Sequence, residues 1–416
     1  MKKSSATHNQ TPLIIVIFSV QVWDEQNWTN KQHLAVHFAK AGHKIIFVNP
    51  TILNVPSRYH LWGRLRQFLT GKGPFPNTIF LDRKNLWIYQ PAIFPLRNKQ
   101  IIRRLNRYLE EKWNAPRILH FARKIRGASD SPIVALVYPP EITPSIHKQP
   151  YDLLAYDCVD NIREFPFYKQ NSEAREVLEL GEELLLRRAE VVFATAPSLY
   201  KYLSLRNPNA HLVPNVADAP FFAQAQQSDL DEPQDLEHIP HPRIGFIGAV
   251  TEYKLNIPLI LEIARKKPSW HWVLVGNIEK EDNSQKALSG INNIHLLGYR
   301  PYKLLPTYLK GFDVCAIPYN MNEYTNSCFP IKFFEYLASG KPTISTPLSA
   351  IAGYRELVPM PEDSTGFIRE TEKLLTSDNA LTRRRRIALA FENTWEKRTN
   401  RILGLIYERL KELERF

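Results

Sequence analysis

The segment Asn326-Ser327-Cys328-Phe329-Pro330-Ile331-Lys332-Phe333-Phe334-Glu335-Tyr336-Leu337-Ala338-Ser339-Gly340-Lys341-Pro342 holds the densest set of residues able to do chemistry. Pro330 suits a first helical turn and Gly340 suits the residue after a last one, so the sequence brackets a helix over Pro330 to Ala338. That helix would start just after a strand at Val314 to Ile317 and a loop at Pro318 to Ser327. Free N–H groups and the positive end of the helix dipole make such a start an anion site, and a diphosphate is its natural occupant. Lys332 and Glu335 stand three apart and share one helix face. Lysine neutralises phosphate, and a carboxylate accepts two hydrogen bonds from a vicinal diol such as that of ribose. On these two residues alone, an ordinary surface ion pair is the alternative. A second candidate set is Asp157 and Asp160, at the carboxyl end of a strand read at Leu153 to Tyr156. A carboxylate placed there can take the proton of an attacking hydroxyl. The alternative is an aspartate that caps the turn into Ile162-Arg163.

The elements that must position these residues alternate. Leu13 to Ser19 and Lys44 to Val48 read as strands around a helix at Asn30 to Ala41, closed by Gly42-His43, which is a βαβ unit. Further strands are expected at Leu86 to Tyr89, Ile133 to Val137, Leu153 to Tyr156 and Val191 to Ala194, with helical patterns at Asn98 to Arg126 and Asn171 to Ala189. Ala217 to Pro242 is rich in Gln, Asp and Pro and reads as a linker. After it the alternation restarts, with strands at Arg243 to Ile247, His271 to Val275, Ile294 to Leu296, Val314 to Ile317 and Thr343 to Ser345. Two α/β domains with parallel sheets follow, and such sheets bind ligands beyond the carboxyl ends of their strands.

Composition narrows the chemistry. With 416 residues, 44% of them hydrophobic, the chain can bury two or three cores. A formal charge of +12 favours anionic partners: phosphorylated metabolites, nucleic acid or an acidic membrane surface. Cys158, Cys315 and Cys328 are far apart, which argues against a disulfide framework or zinc site and for a reducing, cytosolic compartment. The basic start before Leu13 to Val22 imitates a signal peptide, yet Ser19 and Gln21 interrupt the apolar run, so a buried first strand is expected. Asp229-x-Asp231 could imitate a metal-binding pair but sits in the polar linker, and the histidines show no ligand spacing, so no metal is expected. Gly245-x-x-Gly248 follows a strand without the third glycine or the acidic partner of a nicotinamide site. Arg383 to Arg386 reads as a solvated helix face, and no RNA- or DNA-binding motif accompanies the charge. Arg58 to Leu69 and the basic helix Arg97 to Arg126, with Ile101, Leu105, Leu109 and Trp113 on one side, mix charge with apolar residues as anionic membrane surfaces require.

Taken together, Arg243 to Ala249, Trp270 to Gly276, Ile294 to Gly298 and Pro330 to Pro342 resemble the donor domain of GT-B-fold glycosyltransferases. Tyr156-Asp157-Cys158-Val159-Asp160-Asn161, Glu182 to Ala194 and Val213-Pro214-Asn215 are similar to a bacterial subgroup that builds envelope polysaccharides, including teichuronic acid enzymes and xanthan glucuronosyltransferase. The resemblance spans Leu13 to Leu348. It implies an α/β GT-B fold of two doubly wound, Rossmann-like domains facing across a cleft. The acceptor domain would be 1–216, the linker 217–242, the donor domain 243–378, and helices over 379–416 would pack back toward the first domain. It places Lys332, Glu335, Lys254, Ser327 and Gly248 at the donor, and Asp160, with Asp157 beside it, as catalytic carboxylates. Ser327 stands where many relatives carry a second glutamate for the donor sugar, which leaves the sugar and the anomeric outcome open. Val216 replaces the usual glycine after Pro-Asn, where a backbone with φ > 0 would be unfavourable. The implied activity is hexosyl or glucuronosyl transfer from a nucleotide diphosphate sugar to a glycan or lipid-linked acceptor, without metal or other cofactor. The expected location is the cytoplasm or the inner face of the plasma membrane, with no nucleic acid partner. A catalytically silent scaffold of this fold and a sugar-nucleotide epimerase are the alternatives.

Overall fold

A computed structural model describes residues 11–25, 28–50, 78–92, 100–278 and 283–415. The segment Arg58 to Leu69 lies outside the described residues.

Two parallel sheets organise the chain. The first has the order β3-β4-β2-β1-β5-β6-β7-β8, with only β3 (Thr78–Arg83) antiparallel, to β4 (Leu86–Gln90). Its centre is β1 (Ile14–Phe18), flanked by β2 (Lys44–Val48) and β5 (Ile133–Val137). Then come β6 (Leu153–Cys158), β7 (Val191–Ala194) and β8 (Ala210–Leu212). Every residue of β1 is buried, because helices cover both faces: Ile14, Val16 and Phe18 enter one apolar cluster, Ile15 and Ile17 the other. That two-sided burial is why these strands read as unbroken apolar runs rather than as alternation. Helix α1 (Asn30–Lys40) covers one face with Leu34 and Phe38.

The second sheet has the order β11-β10-β9-β12-β13, built from β9 (Arg243–Ile247), β10 (His271–Val275), β11 (Ile294–Gly298), β12 (Val314–Ile317) and β13 (Thr343–Ser345). The order reverses between β9 and β12. A crevice therefore opens beyond their carboxyl ends, as it does between β1 and β5 in the first sheet.

The pattern at Asn98 to Arg126 forms α2 (Gln100–Leu109) and α3 (Ala115–Arg126), separated by a π segment, Glu110–Asn114. Pro116, which cannot donate a backbone N–H, lies just past that wide turn. Buried Asn114 ties the turn to the N–H and C=O of Ala92, each at 3.0 Å. The polar stretch 217–242 is seated on the second domain: Ala219, Phe222 and Leu236 are wholly buried. Arg243 holds it there, donating to the carbonyls of Leu236, Ile239 and Gly311 and pairing with Glu232 at 2.8 Å.

Helix α4 (Ser172–Arg188) packs on the first sheet, while α5 (Lys332–Ala338) and α6 (Ala380–Glu392) pair on the second. Arg386 on α6 departs from the solvated face read in the sequence. It is buried, forked onto Asp378 at 2.7 Å, and donates to Gly340 O at the end of α5, where a cation suits the helix dipole. The chain then crosses back beside its first crossing, with Ala217 bridged to Thr394. The last helix, α7 (Trp395–Glu412), lies against α1, and its Ile402, Leu405, Ile406 and Leu410 join the core of the first domain.

Candidate functional site

The crevice beyond β9 and β12 is shaped by two glycines. Gly248 has φ +150° and Gly276 φ +151°, a region that side chains disfavour. A Cβ on Gly276 would lie 1.9 Å from Gly248 O, and one on Gly248 would lie 2.9 Å from Lys332 Cε. Gly248 therefore serves by having no side chain: Lys332 passes over the strand end in the space it leaves. Helix α5 starts at Lys332, two residues later than the sequence suggested, and Tyr336 fixes it to the sheet by accepting from Ile247 N at 2.8 Å.

Two ammonium groups converge on Tyr319, two residues past β12. Lys332 Nζ donates to its hydroxyl at 3.0 Å and lies 5.7 Å from the ring centre, while Lys254 Nζ lies 5.3 Å from the same ring. Paired cations suit a diphosphate. Tyr319 was not singled out from sequence; its place directly after a strand in Pro318-Tyr319 was the available signal. Glu335, one helical turn on from Lys332, is partly buried. Burial pushes its carboxyl up to about 7, the Lys332 ammonium pulls the other way, and Asp218 adds to the rise. Ser327 is buried behind the turn Glu323–Asn326, its N–H donating to Tyr324 O at 3.1 Å.

The raised Glu335 pKa predicts a pH-dependent stability. A carboxyl whose folded pKa exceeds its ordinary 4.5 stabilises the fold below that value, and the contribution is lost as pH rises through about 7. Glu335→Gln, neutral at every pH, should match the parent at pH 4.5 and exceed it at pH 8 by about 1–2 kcal/mol, since partial exposure screens the full shift. Denaturant titration at both pH values checks this. An equal difference at both would place the charge elsewhere.

The facing domain contributes Asp160, just past β6. Its side chain does not cap the following turn: Asn161 stands at that cap. Instead Asp160 lies within electrostatic reach of Cys328 and Lys254 of the other domain, and of Lys31. Burial raises its pKa, and Lys31, Cys328 and Lys254 act against the rise. Asp157, three residues earlier, is turned away. It is wholly buried, and Arg398 of α7 donates to both of its oxygens at 3.1 Å. The structure thus separates the two aspartates read together in the sequence, one at the cleft and one in a buried ion pair that ties α7 to β6.

Further contacts close the cleft. Asn215 accepts from Asn30 and donates to Phe329 O at 2.9 Å, Ser198 donates to Asn326 O, and the Phe165 ring lies tilted against those of Tyr253 and Tyr324. Val216 needs no glycine, since among the described residues only Asn85 and Glu414 combine a side chain with positive φ.

Known structures share this architecture over nearly the whole chain. Sucrose-phosphate synthase from Thermosynechococcus elongatus aligns over 96% of this chain and 100% of its own, with TM-score 0.62 at 15% identity. Anabaena HepE in complex with UDP aligns over 96% and 100%, with TM-score 0.61 at 12% identity. The fold is GT-B. At these identities the likeness is one of fold. Within this GT-B chain, residues 241–377 match the family described as glycosyl transferases group 1, a span that holds Gly248, Lys254, Tyr319, Lys332 and Glu335. A Bacillus subtilis protein named as a teichuronic acid biosynthesis glycosyltransferase, TuaH, is 30% identical over 208 residues, 48% of this chain and 51% of that relative. The match therefore spans about half of the relative's length.

Proposed function

We propose that the protein is a glycosyltransferase that moves a sugar from a nucleoside diphosphate sugar, held by the second domain, to a hydroxyl of an envelope-polysaccharide acceptor at the first. The observation that carries this reading is the meeting of Asp160 with the Lys254–Tyr319–Lys332 cluster across the cleft. The two lysines would meet the diphosphate charge, so the reading calls for no metal ion. Glu335 would accept the ribose hydroxyls, and Asp160 would take the proton of the attacking hydroxyl. The UDP in the HepE structure and the name of the Bacillus relative make uridine donors and acidic or neutral hexoses the first to try.

Calorimetry tests the donor half. Lys332→Ala should weaken UDP about 10- to 100-fold, the loss of a charge-assisted bond, while leaving uridine nearly unchanged. Equal loss for both would make Lys332 a base contact or a packing residue instead.

The proposal extends to a membrane surface. No helix among the described residues is long and apolar enough to cross a bilayer. On α3, Ile118, Leu119 and Ala122 pack inward and serve the core. The outward face carries exposed Tyr108 and Trp113 among Arg104, Arg107, Lys112, Arg117, Arg123 and Lys124, with Arg117 4.9 Å from the Trp113 ring. Aromatic rings set in a basic field suit an anionic leaflet, where a lipid-linked acceptor would reside. Vesicles rich in anionic lipid should float the protein at low salt and release Trp113→Ala/Arg117→Ala. Flotation unchanged by that double substitution would move the contact to another face.

A further inference from the structure

Asp160 rides on a stretch of chain that touches both domains, and Arg163 on that stretch has no task in the reading above. Thr195 fixes the chain as far as Val159: its hydroxyl donates to Val159 O at 2.7 Å and its N–H to Cys158 O at 3.3 Å. From Asp160 onward the chain leaves the sheet and enters a short 3₁₀ turn, Ile162–Glu164. Past that turn, Phe165 lies against the second domain, its ring centre 4.8 Å from that of Tyr324 and 6.3 Å from that of Tyr253. Arg163 reaches back into the first domain. Its guanidinium donates to Asn161 Oδ1 at 3.2 Å and to the Tyr202 hydroxyl at 2.7 Å, with Cζ 4.2 Å from the centre of the Tyr202 ring.

The partners of Arg163 are themselves held. Tyr202, on the helix Pro197–Ser204, donates to Glu182 of α4 at 3.2 Å. The other oxygen of Glu182 accepts from Tyr156 of β6 at 2.9 Å, and Arg163 completes the group at 3.8 Å. Glu182 is buried, so a change that leaves either of its oxygens unpartnered is costly. The network therefore starts at Tyr156, four residues ahead of Asp160, and returns through two helices to Asn161, directly after it. We infer that Arg163 is the positioning residue of Asp160: stacked on Tyr202 and tied through it to Glu182, it keeps the turn in register with the first domain and so sets where the carboxylate meets the acceptor hydroxyl. A planar, forked guanidinium suits this task, because it stacks and donates in fixed directions at once. Without it, the Phe165 contact would tie the turn to the donor domain instead. Displacing a reacting group by about 1 Å costs about 100-fold in rate.

The inference rests on the glycosyltransferase reading for its purpose, and its first readout needs no turnover. The N–H groups of Ile162, Glu164 and Phe165 donate within the turn at 3.0, 3.0 and 3.1 Å, so their hydrogen exchange reports how firmly it is held. In Arg163→Ala that exchange should quicken about tenfold or more, while the amides of β6 and α4 keep the parent rate. A residue serving only the stability of the domain would quicken all of them alike. In turnover the same variant should lose about 10- to 100-fold in kcat with donor KM within about twofold of the parent. Tyr202→Phe, which keeps the ring and removes the hydroxyl, should loosen the same amides to a smaller degree, and it is read in this way should Arg163→Ala not fold. Turn amides unmoved in the folded variant, quickening shared with β6, or a loosened turn with the parent's kcat would each overturn the inference. If the parent transfers no sugar at all, the glycosyltransferase reading fails, and the exchange still decides whether Arg163 holds the turn.

Discussion

Asp160→Asn should lower turnover by about 10²- to 10⁴-fold with donor affinity within about twofold of the parent. The amide keeps the shape of the carboxylate at the end of β6 and removes its basicity. Donor affinity should survive because the cations assigned to the diphosphate, Lys254 and Lys332, and the carboxylate assigned to ribose, Glu335, all lie in the other domain. Steady-state kinetics with a competent donor and acceptor measure this. If the leaving phosphate takes the proton, as a configuration-retaining reaction would allow, the variant should lose far less, and Asp160 is then not the base.

The second large effect is on stability. Arg398→Ala would leave Asp157 wholly buried without its partner, and loss of one member of such a pair costs about 3–5 kcal/mol, a large share of an ordinary domain's margin. Arg398 also donates to Pro214 O at 3.1 Å, so the same change loosens the chain just ahead of the first crossing between domains. Thermal unfolding should show a marked fall in Tm, and turnover per folded molecule, measured at low temperature, should stay near the parent's. Asp157→Asn should behave alike, in contrast to Asp160→Asn. An unchanged Tm with abolished turnover would return Asp157 to the chemistry.

Both sheets were legible because their central strands are buried on two faces and so stand out as β-branched runs, β1 and β5 most clearly. β3 was not, since it lies at the sheet edge with Phe80 and Leu81 exposed, and no alternation marks its inner face. β8 has three residues, too few for a period to show. In the site, Lys332 and Glu335 could be found together because one helix sets their spacing. Lys31, Tyr319 and the approach of Cys328 to Asp160 come from elements far apart in the chain and meet only when the two domains face one another. Buried charge was the least legible of all. Arg386 sits in a run of four arginines and Arg398 among polar neighbours, and nothing local in either sequence tells that Asp378 or Asp157 receives it.

The central claim is that the two halves of the cleft act on one reaction, and acceptor-dependent release of nucleotide tests it most directly. UDP-, GDP- and dTDP-sugars would be offered to the full chain with and without lipid-linked glycan acceptors, and free nucleoside diphosphate measured. The account predicts that at least one donor releases its nucleotide only when acceptor is present, with the sugar recovered on the acceptor and the release slowed about 10²- to 10⁴-fold in Asp160→Asn. Conversion of the donor sugar without acceptor, or nucleotide binding with no release under any pairing, would contradict it.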